Sequence, residues 1–410
     1  MSLPTPLINR SRAQQVMQQA GVSAMVLADP TNIYYATGFW PQTVIMGNVG
    51  SSVAVVPADA AQPVTLVTAQ FLHYFFDIDD VPPGSPLQIL LYTAPDQDGE
   101  NAMPPIFFRS AADGTEDVYE RATRATTLAQ LEAHPAYVDA GQAVRSVLGG
   151  LGEGAIATDN VVSSLLAGLG AGAARPAGPL LRRTRMIKSV HEIGLMRIAA
   201  QSNCEAFQAA LATVGIGSTY VDLQNAFFAE TGRRGGKPVF ISTDHVPYRQ
   251  RRKVITEGRA FSIDAVATYS GYHGDYGRTI LVGTPTAAVM QAVEGAIACN
   301  AAVARNLGPG LRYSDISRIG QEAVAKAGFD ITTPSSPHSV GLFHTDEAFK
   351  DDGLVFAKAD HLIEEGMVLS VDCPMLQTDM GGTVHLEDLW LITANGCEPL
   401  NDTAHPYYQL

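Results

Sequence analysis

Cysteine is scarce in this chain and follows no pattern. The 410 residues hold four, Cys204, Cys299, Cys373 and Cys397, with no CxxC spacing. That speaks against a disulfide framework or a thiolate zinc site, and makes a reducing cytoplasm the default compartment. Positive charge is also short, since 27 Lys and Arg against 41 Asp and Glu leave a formal net charge of -14. So acidic a chain is a poor match for nucleic acid or an anionic membrane surface. No uninterrupted apolar run reaches the roughly 20 residues of a membrane span. The opening, MSLPTPLINRSR, lacks the charged-then-apolar layout of a signal peptide. There is no GxxxxGKS/T and no well-placed GxGxxG, so nothing asks for a nucleotide. What is present is an ordinary globular composition, 46% hydrophobic and 17% charged, in a length that suggests two domains or a little more.

Strands alternate with helices over the first part of the chain. Arg10 to Ala20 reads as a short helix, and Ala24 to Ala28 as a buried strand stopped by Asp29-Pro30. Gly50 to Pro57, Val64 to Thr68 and Ala155 to Thr158 are further strands, with a helix near Val161 to Leu169. The alternation suggests an α/β domain. Aromatic runs at Phe71 to Phe76 and Ile106 to Phe108 read as packing segments, the alternative being a wall over a substrate site. A second domain starts near Met186. Ser189 and Glu192 have capping-box spacing, and Ile193, Met196, Ala200, Cys204, Phe207 and Leu211 line one face of the helix that follows.

The most informative stretch is EGRAFSIDAVATYSGYHGDYGRT, residues 257–279. It reads as a β-hairpin around a small Gly-containing turn. With the turn centred near Tyr269 and Ser270, Asp264 and Asp275 face each other directly. Carboxylates that close repel unless they share a proton or bind a cation. Taken alone, they are equally well read as two solvated turn aspartates. An internal repeat bears on the choice. Gly215-Ile-Gly217-Ser-Thr-Tyr220-Val-Asp222 recurs as Gly308-Pro-Gly310-Leu-Arg-Tyr313-Ser-Asp315, 93 residues later. His245 and His338 each follow by 23 residues. Glu257-Gly258 with Ser262 and Asp264 is matched by Glu365-Gly366 with Ser370 and Asp372, and His273-Gly-Asp275 by His385-Leu-Glu387. Two such halves packed about a pseudo-two-fold axis bring four carboxylates and two histidines to one centre, a cluster that calls for roughly two divalent cations.

In these motifs the chain resembles the pita-bread metallopeptidases: methionine aminopeptidase, aminopeptidase P and prolidase, with creatinase as a metal-free relative. DPTNIYYATGF resembles the creatinase-type N-terminal domain; GYHGDYGRT, HSVGLFH, EEGMVLSVD and VHLEDLWLIT resemble the catalytic domain. The resemblance implies an α/β N-terminal domain over 1–180 and an α+β pita-bread catalytic domain over 181–410 with an internal pseudo-two-fold repeat. It implies metal ligands at Asp264, Asp275, His338, Asp372 and Glu387, with Asp275 and Glu387 bridging. It also implies that His245 and His344 steady the substrate carbonyl or the tetrahedral intermediate and that Asp372 shuttles a proton. Two divalent ions are implied, Mn²⁺ first, with Co²⁺, Fe²⁺ or Zn²⁺ as alternatives, in a cytoplasmic homodimer acting on a small peptide or amide.

Three departures from the family pattern stand out. Asp372 occupies a place where glutamate is expected. His385 stands where the aminopeptidase P branch commonly has arginine, and an imidazole does not replace a bidentate guanidinium. His344 comes one residue earlier than the usual spacing after His338. The expected reaction is hydrolysis of an amide C–N bond, Xaa-Pro dipeptidase-like or aminopeptidase P-like. The alternative is a hydrolase or lyase of a small metabolite, like creatinase, ectoine hydrolase or the lyase of dimethylsulfoniopropionate. His273 is expected to be a structural strand residue, Asp346 and Glu347 a solvated pair, and the basic run 249–253 a solvated face.

Overall fold

A computed structural model describes residues 5–75, 85–93, 118–134, 136–170, 172–244, 253–329, 335–350, 357–378 and 382–410. His245, most of the basic run 249–253, and Ile106 to Phe108 lie outside the described residues. The chain divides into two compact units, Met1–Thr184 and Arg185–Leu410.

In the first unit the order is α1 (Arg10–Gln19), β1 (Val22–Leu27), α2 (Pro30–Thr37), α3 (Gln42–Ile45), β2 (Ser52–Pro57), β3 (Val64–Ala69), α4 (Gln70–Phe75), β4 (Leu87–Tyr92), α5 (Val118–Ala133), α6 (Ala140–Gly149), β5 (Ala155–Thr158), α7 (Val161–Leu166), β6 (Arg175–Pro176) and α8 (Ala177–Arg185). The strands form one mixed sheet, β4-β3-β2-β1-β5-β6. β2 and β3 are buried along their whole length, as strands covered on both faces are. The DPTN motif is a helix start. Asp29 accepts hydrogen bonds from the backbone of Thr31 and Asn32, and Pro30 takes the first helical position, where its missing N–H costs nothing.

The second unit runs α9 (Val190–Leu211), α10 (Tyr220–Arg233), β7 (Lys237–Thr243), β8 (Ala260–Tyr269), β9 (Tyr272–Leu281), α11 (Ala287–Asn306), α12 (Tyr313–Lys326), β10 (Ser336–Ser339), β11 (Val368–Thr378), β12 (Gly382–Thr393), β13 (Gly396–Pro399) and β14 (Tyr407–Gln409). Its sheet is ordered β10-β11-β12-β9-β8-β7, with β13 on β12 and β14 on β9. That order is the repeat drawn in space, because α9-α10-β7-β8-β9 and α11-α12-β10-β11-β12 meet at β9 and β12.

The recurring GxGxxYxD motif proves to be helix punctuation. Gly217 and Gly310 hold φ of 91° and 92°, in the left-handed region that favours glycine. The aspartates then accept from the backbone N–H of Thr219 and Arg312 at 2.7 and 3.0 Å, capping α10 and α12. Ser189 and Glu192 form the expected capping box on α9, whose buried face includes Met196, Ala200, Cys204, Phe207 and Leu211. Helix α11 is long and apolar enough, by length and composition alone, to cross a membrane. Here it is a core helix: Val289, Val293, Ala296, Cys299 and Val303 pack with Leu369, Val371 and Leu386 of the sheet.

Candidate metal centre

Four adjacent strands carry the expected ligands into one row. Asp264 on β8 pairs with Gly277 on β9, Gly277 with Glu387 on β12, and Glu387 with Asp372 on β11. Ser242 on β7 and Ser336 on β10 extend the row at its two ends. Residues in such a row share one face of a sheet. Asp275 stands two places along β9 from Gly277, and His338 two places along β10 from Ser336, so both join that face. All five expected ligands are thus brought together.

The register corrects two details of the sequence reading. Asp275 lies opposite Val266, so it is diagonal to Asp264 and not directly across from it. The cause is the turn. Its central residues are Ser270 and Gly271, with φ of 49° and 81°, the double left-handed geometry of a two-residue hairpin. The second detail is the axis, which passes through the Gly277–Glu387 pair. It relates Asp264 to Asp372 as expected, but Gly277 to Glu387 and Asp275 to His385. The match of His273-Gly-Asp275 to His385-Leu-Glu387 is therefore offset by two residues. Glycine at 277 is a steric requirement, since a Cβ there would stand 2.3 Å from His385 Nε2 and 2.8 Å from Glu387 Cβ.

Donor atoms crowd above this row. His338 Nε2 is 3.6 Å from Asp275 Oδ2 and 3.8 Å from Glu387 Oε1. His385 Nε2 is 3.1 Å from Glu387 Oε2 and 3.7 Å from Asp372 Oδ1. Ser370 Oγ donates to Glu387 Oε1 at 2.6 Å. Three overlapping trios each gather ligand atoms within 4.8 Å of one another: Asp264, Asp275 and Glu387; His338, Asp372 and Glu387; Asp275, His338 and His344. Asp264 Oδ1 and both oxygens of Asp275 are buried with no hydrogen-bond partner among the described residues. Orphaned carboxylate oxygens are costly in a folded interior. Divalent cations would satisfy them, and a set of carboxylates plus imidazole suits Mn²⁺, Co²⁺, Fe²⁺ or Zn²⁺. The residues present fit the metals that the family resemblance implies.

Electrostatics in the metal-free protein follow from this crowding. Burial, then the Glu387 charge, pushes Asp264 and Asp275 well above the ordinary carboxylate range, and the same causes push Asp372 up to about 6. Burial would also raise Glu387, but His338 and His385 outweigh it and hold Glu387 well below its usual value. Burial would lower His385, but Glu387 outweighs it and lifts the imidazole to about 9. A carboxylate with a raised folded value contributes stability that is intact below about pH 4 and lost as pH rises through that value. The His385 contribution is intact below about pH 6.5 and lost as pH rises through about 9. Glu387 works oppositely, but its term is already complete above about pH 4.5. The metal-free protein is therefore expected to lose melting temperature between pH 6 and pH 9, as thermal denaturation in a chelating buffer would show. A rise over that interval would refute the assignment.

Two expectations around the site change or gain a cause. Asp346 and Glu347 are not a solvated pair; they are 1% and 2% exposed. Arg185 Nε donates to Asp346 Oδ1 at 2.7 Å, and Glu347 Oε2 accepts from the Ser339 backbone at 3.0 Å. Buried Lys188 donates to the Arg185 carbonyl and lies 3.3 Å from Ser339 Oγ. This charged cluster anchors the segment that carries His344. His273 supports the same segment through its backbone N–H to the Gly341 carbonyl, at 3.0 Å. Sequence reasoning gave Arg278 no role. It is fully buried and places all five N–H donors: on the carbonyls of His405, Gly277, Glu387 and Asp402, and on Asp388 Oδ1. Its only advance signal was its place three residues after Asp275.

Known proteins resemble this chain in sequence and in fold. Residues 194–394 match metallopeptidase family M24, and residues 10–73 match the creatinase/prolidase N-terminal domain. A methionine aminopeptidase of Aquifex aeolicus is 28% identical over 226 residues, covering 50% of this chain and 87% of that protein. An Xaa-Pro dipeptidase of Pyrococcus horikoshii is 26% identical over 233 residues, covering 55% of this chain and 65% of that protein, just under two thirds of its length. The structure of an Xaa-Pro dipeptidase from Bacillus anthracis has the same fold, with a TM-score of 0.67 at 16% identity over 98% of this chain and 99% of that one. The chain belongs to metallopeptidase family M24, with the pita-bread catalytic fold of that family and a creatinase/prolidase-type N-terminal domain.

Proposed function

We propose that this protein hydrolyses the C–N bond of a peptide or small amide, using two divalent ions held by Asp264, Asp275, His338, Asp372 and Glu387. The observation that carries the proposal is the set of buried, unpartnered carboxylate oxygens on Asp264 and Asp275. A bound pair of such ions supplies activated water at neutral pH and polarises a carbonyl. The side chains do the rest. Asp275 and Glu387, with 0% and 2% of their side chains exposed, are fixed in the floor of the site. Asp372 keeps 29% exposed, so it has access to substrate and is the group we assign to carry a proton to the leaving nitrogen. Ser370, bonded to Glu387, holds that carboxylate in orientation.

The Xaa-Pro dipeptidases among the relatives support Xaa-Pro substrates. His385 points toward a small metabolite amide, because it brings a compact imidazole, not a guanidinium, to the centre. Protein purified without chelator is expected to carry one to two transition ions per chain, with Mn²⁺ or Co²⁺ supporting turnover; no bound metal would sink the proposal. A panel of Xaa-Pro dipeptides, longer Xaa-Pro peptides and small amides then decides the substrate class. The proposal includes a homodimer, to be checked by light scattering.

A further inference from the structure

His344 occupies a place unlike the one its family resemblance implies. There the second histidine meets the substrate; here it arrives one residue early and its Nε2 approaches Asp275. We infer that His344 is itself a metal ligand, sharing one ion with His338 and Asp275. The inference rests on the dinuclear proposal above and changes the donor set of one of its two ions.

Three observations carry it. His344 Nε2 lies 3.2 Å from Asp275 Oδ2, nearer than His338 Nε2 at 3.6 Å, and the three donors fall within 4.8 Å of one another. Despite two imidazole nitrogens so close, neither Asp275 oxygen has a hydrogen-bond partner among the described residues. A hydrogen bond needs the N–H aimed at the oxygen. Nitrogens and oxygens that converge without that alignment have the arrangement of ligands around a common ion. Finally, the ring is held in place. The rings of Phe240, His338 and His273 lie with centroids 5.6, 5.0 and 6.4 Å from it. The backbone two residues on is pinned where Asp346 N–H donates to the Ser339 carbonyl at 2.7 Å. The His344 side chain is 34% exposed, so what assigns it to the ion is the approach of Nε2 to Asp275 and His338, and these ring contacts orient it for that role.

The chemical consequence is a lopsided centre. One ion has carboxylates chiefly, while the other has two imidazoles beside its carboxylates. More nitrogen favours Co²⁺ and Zn²⁺ over Mn²⁺ at that second position.

Co²⁺ is a suitable probe, since its visible absorption reports ligand number and type. Metal-free wild type, His344→Ala, His344→Gln and His338→Ala are titrated with Co²⁺, following heat of binding and absorption, with metal-free melting curves to confirm folding. His344→Ala is expected to weaken one of the two Co²⁺ sites by at least about tenfold and to alter its absorption, leaving the other site unchanged. His338→Ala should weaken the same site. If His344→Ala and His344→Gln keep both affinities and the wild-type spectrum while turnover falls, His344 faces the substrate and the inference is overturned. If wild type itself takes up no Co²⁺, the dinuclear proposal fails first and this one with it, a result distinct from the former.

Discussion

Asp275→Asn is expected to abolish metal retention and turnover while raising the melting temperature of the metal-free protein. The two effects have one cause. Asp275 has none of its side chain exposed to solvent, its oxygens have no hydrogen-bond partner among the described residues, and Glu387 stands nearby with a charge of the same sign. In the metal-free state such a carboxylate is a liability, which is why its pKa is driven upward. A neutral amide of the same shape removes the repulsion. A gain of roughly 1 kcal/mol would move the melting point of the Arg185–Leu410 unit by about 2–4 °C. The same change takes a ligand out of two of the donor trios, so turnover should fall by at least about a thousandfold, roughly 4 kcal/mol of transition-state stabilisation. Elemental analysis, steady-state kinetics and melting in chelator check the three parts separately. A variant that keeps its metal, or that melts lower without it, would count against Asp275 as a buried ligand.

Arg278→Ala is expected to be the most destabilising single change in the catalytic unit. A buried arginine whose five N–H donors all have acceptors is an over-determined joint. It ties β9 to the carbonyl of Glu387, to Asp388, and to the carbonyls of Asp402 and His405 near the chain end. It also stacks 4.0 Å over the Tyr276 ring. Its removal strands the buried Asp388 carboxylate, although Asn300 and Asn401 still donate to it. Breaking a buried pair in this way costs about 3–5 kcal/mol, or roughly 10 °C. Lysine should rescue little, because one ammonium cannot reach five divergent acceptors. Chemical denaturation measures the loss, and metal affinity should fall with it, since the Glu387 backbone loses its anchor.

The clustering of Asp264, Asp275, His338, Asp372 and Glu387 was legible in the sequence because each stands at a fixed step from a repeated motif, and repetition survives where local pattern is ambiguous. Asp264 and Asp372 were matched correctly on that basis. Their neighbours were matched less well because register is set by turns. The two-residue turn at Ser270-Gly271 places Asp275 two residues along from the direct partner of Asp264. Asp346 and Glu347 looked solvated because their countercharges, Arg185 and Lys188, lie about 160 residues earlier in the chain. Arg278 was passed over for a similar reason. All its acceptors except the Gly277 carbonyl are more than 100 residues away, out of reach of any local window.

Gly277 and Glu387 face each other across the axis that relates the two halves. Two copies of one unit can each place a side chain anywhere except on the line where they meet, since there the copies would claim the same volume. One must yield. Here the first half yields everything, down to a hydrogen atom, and the second half's glutamate takes the shared position. Simple duplication would give an even number of donor side chains, but a cage built across its own axis holds an odd number in that row: Asp264, Glu387 and Asp372. The two metal positions proposed above are consequently unequal from the outset. Specialisation of one for substrate and the other for structure would need no further mutation to begin.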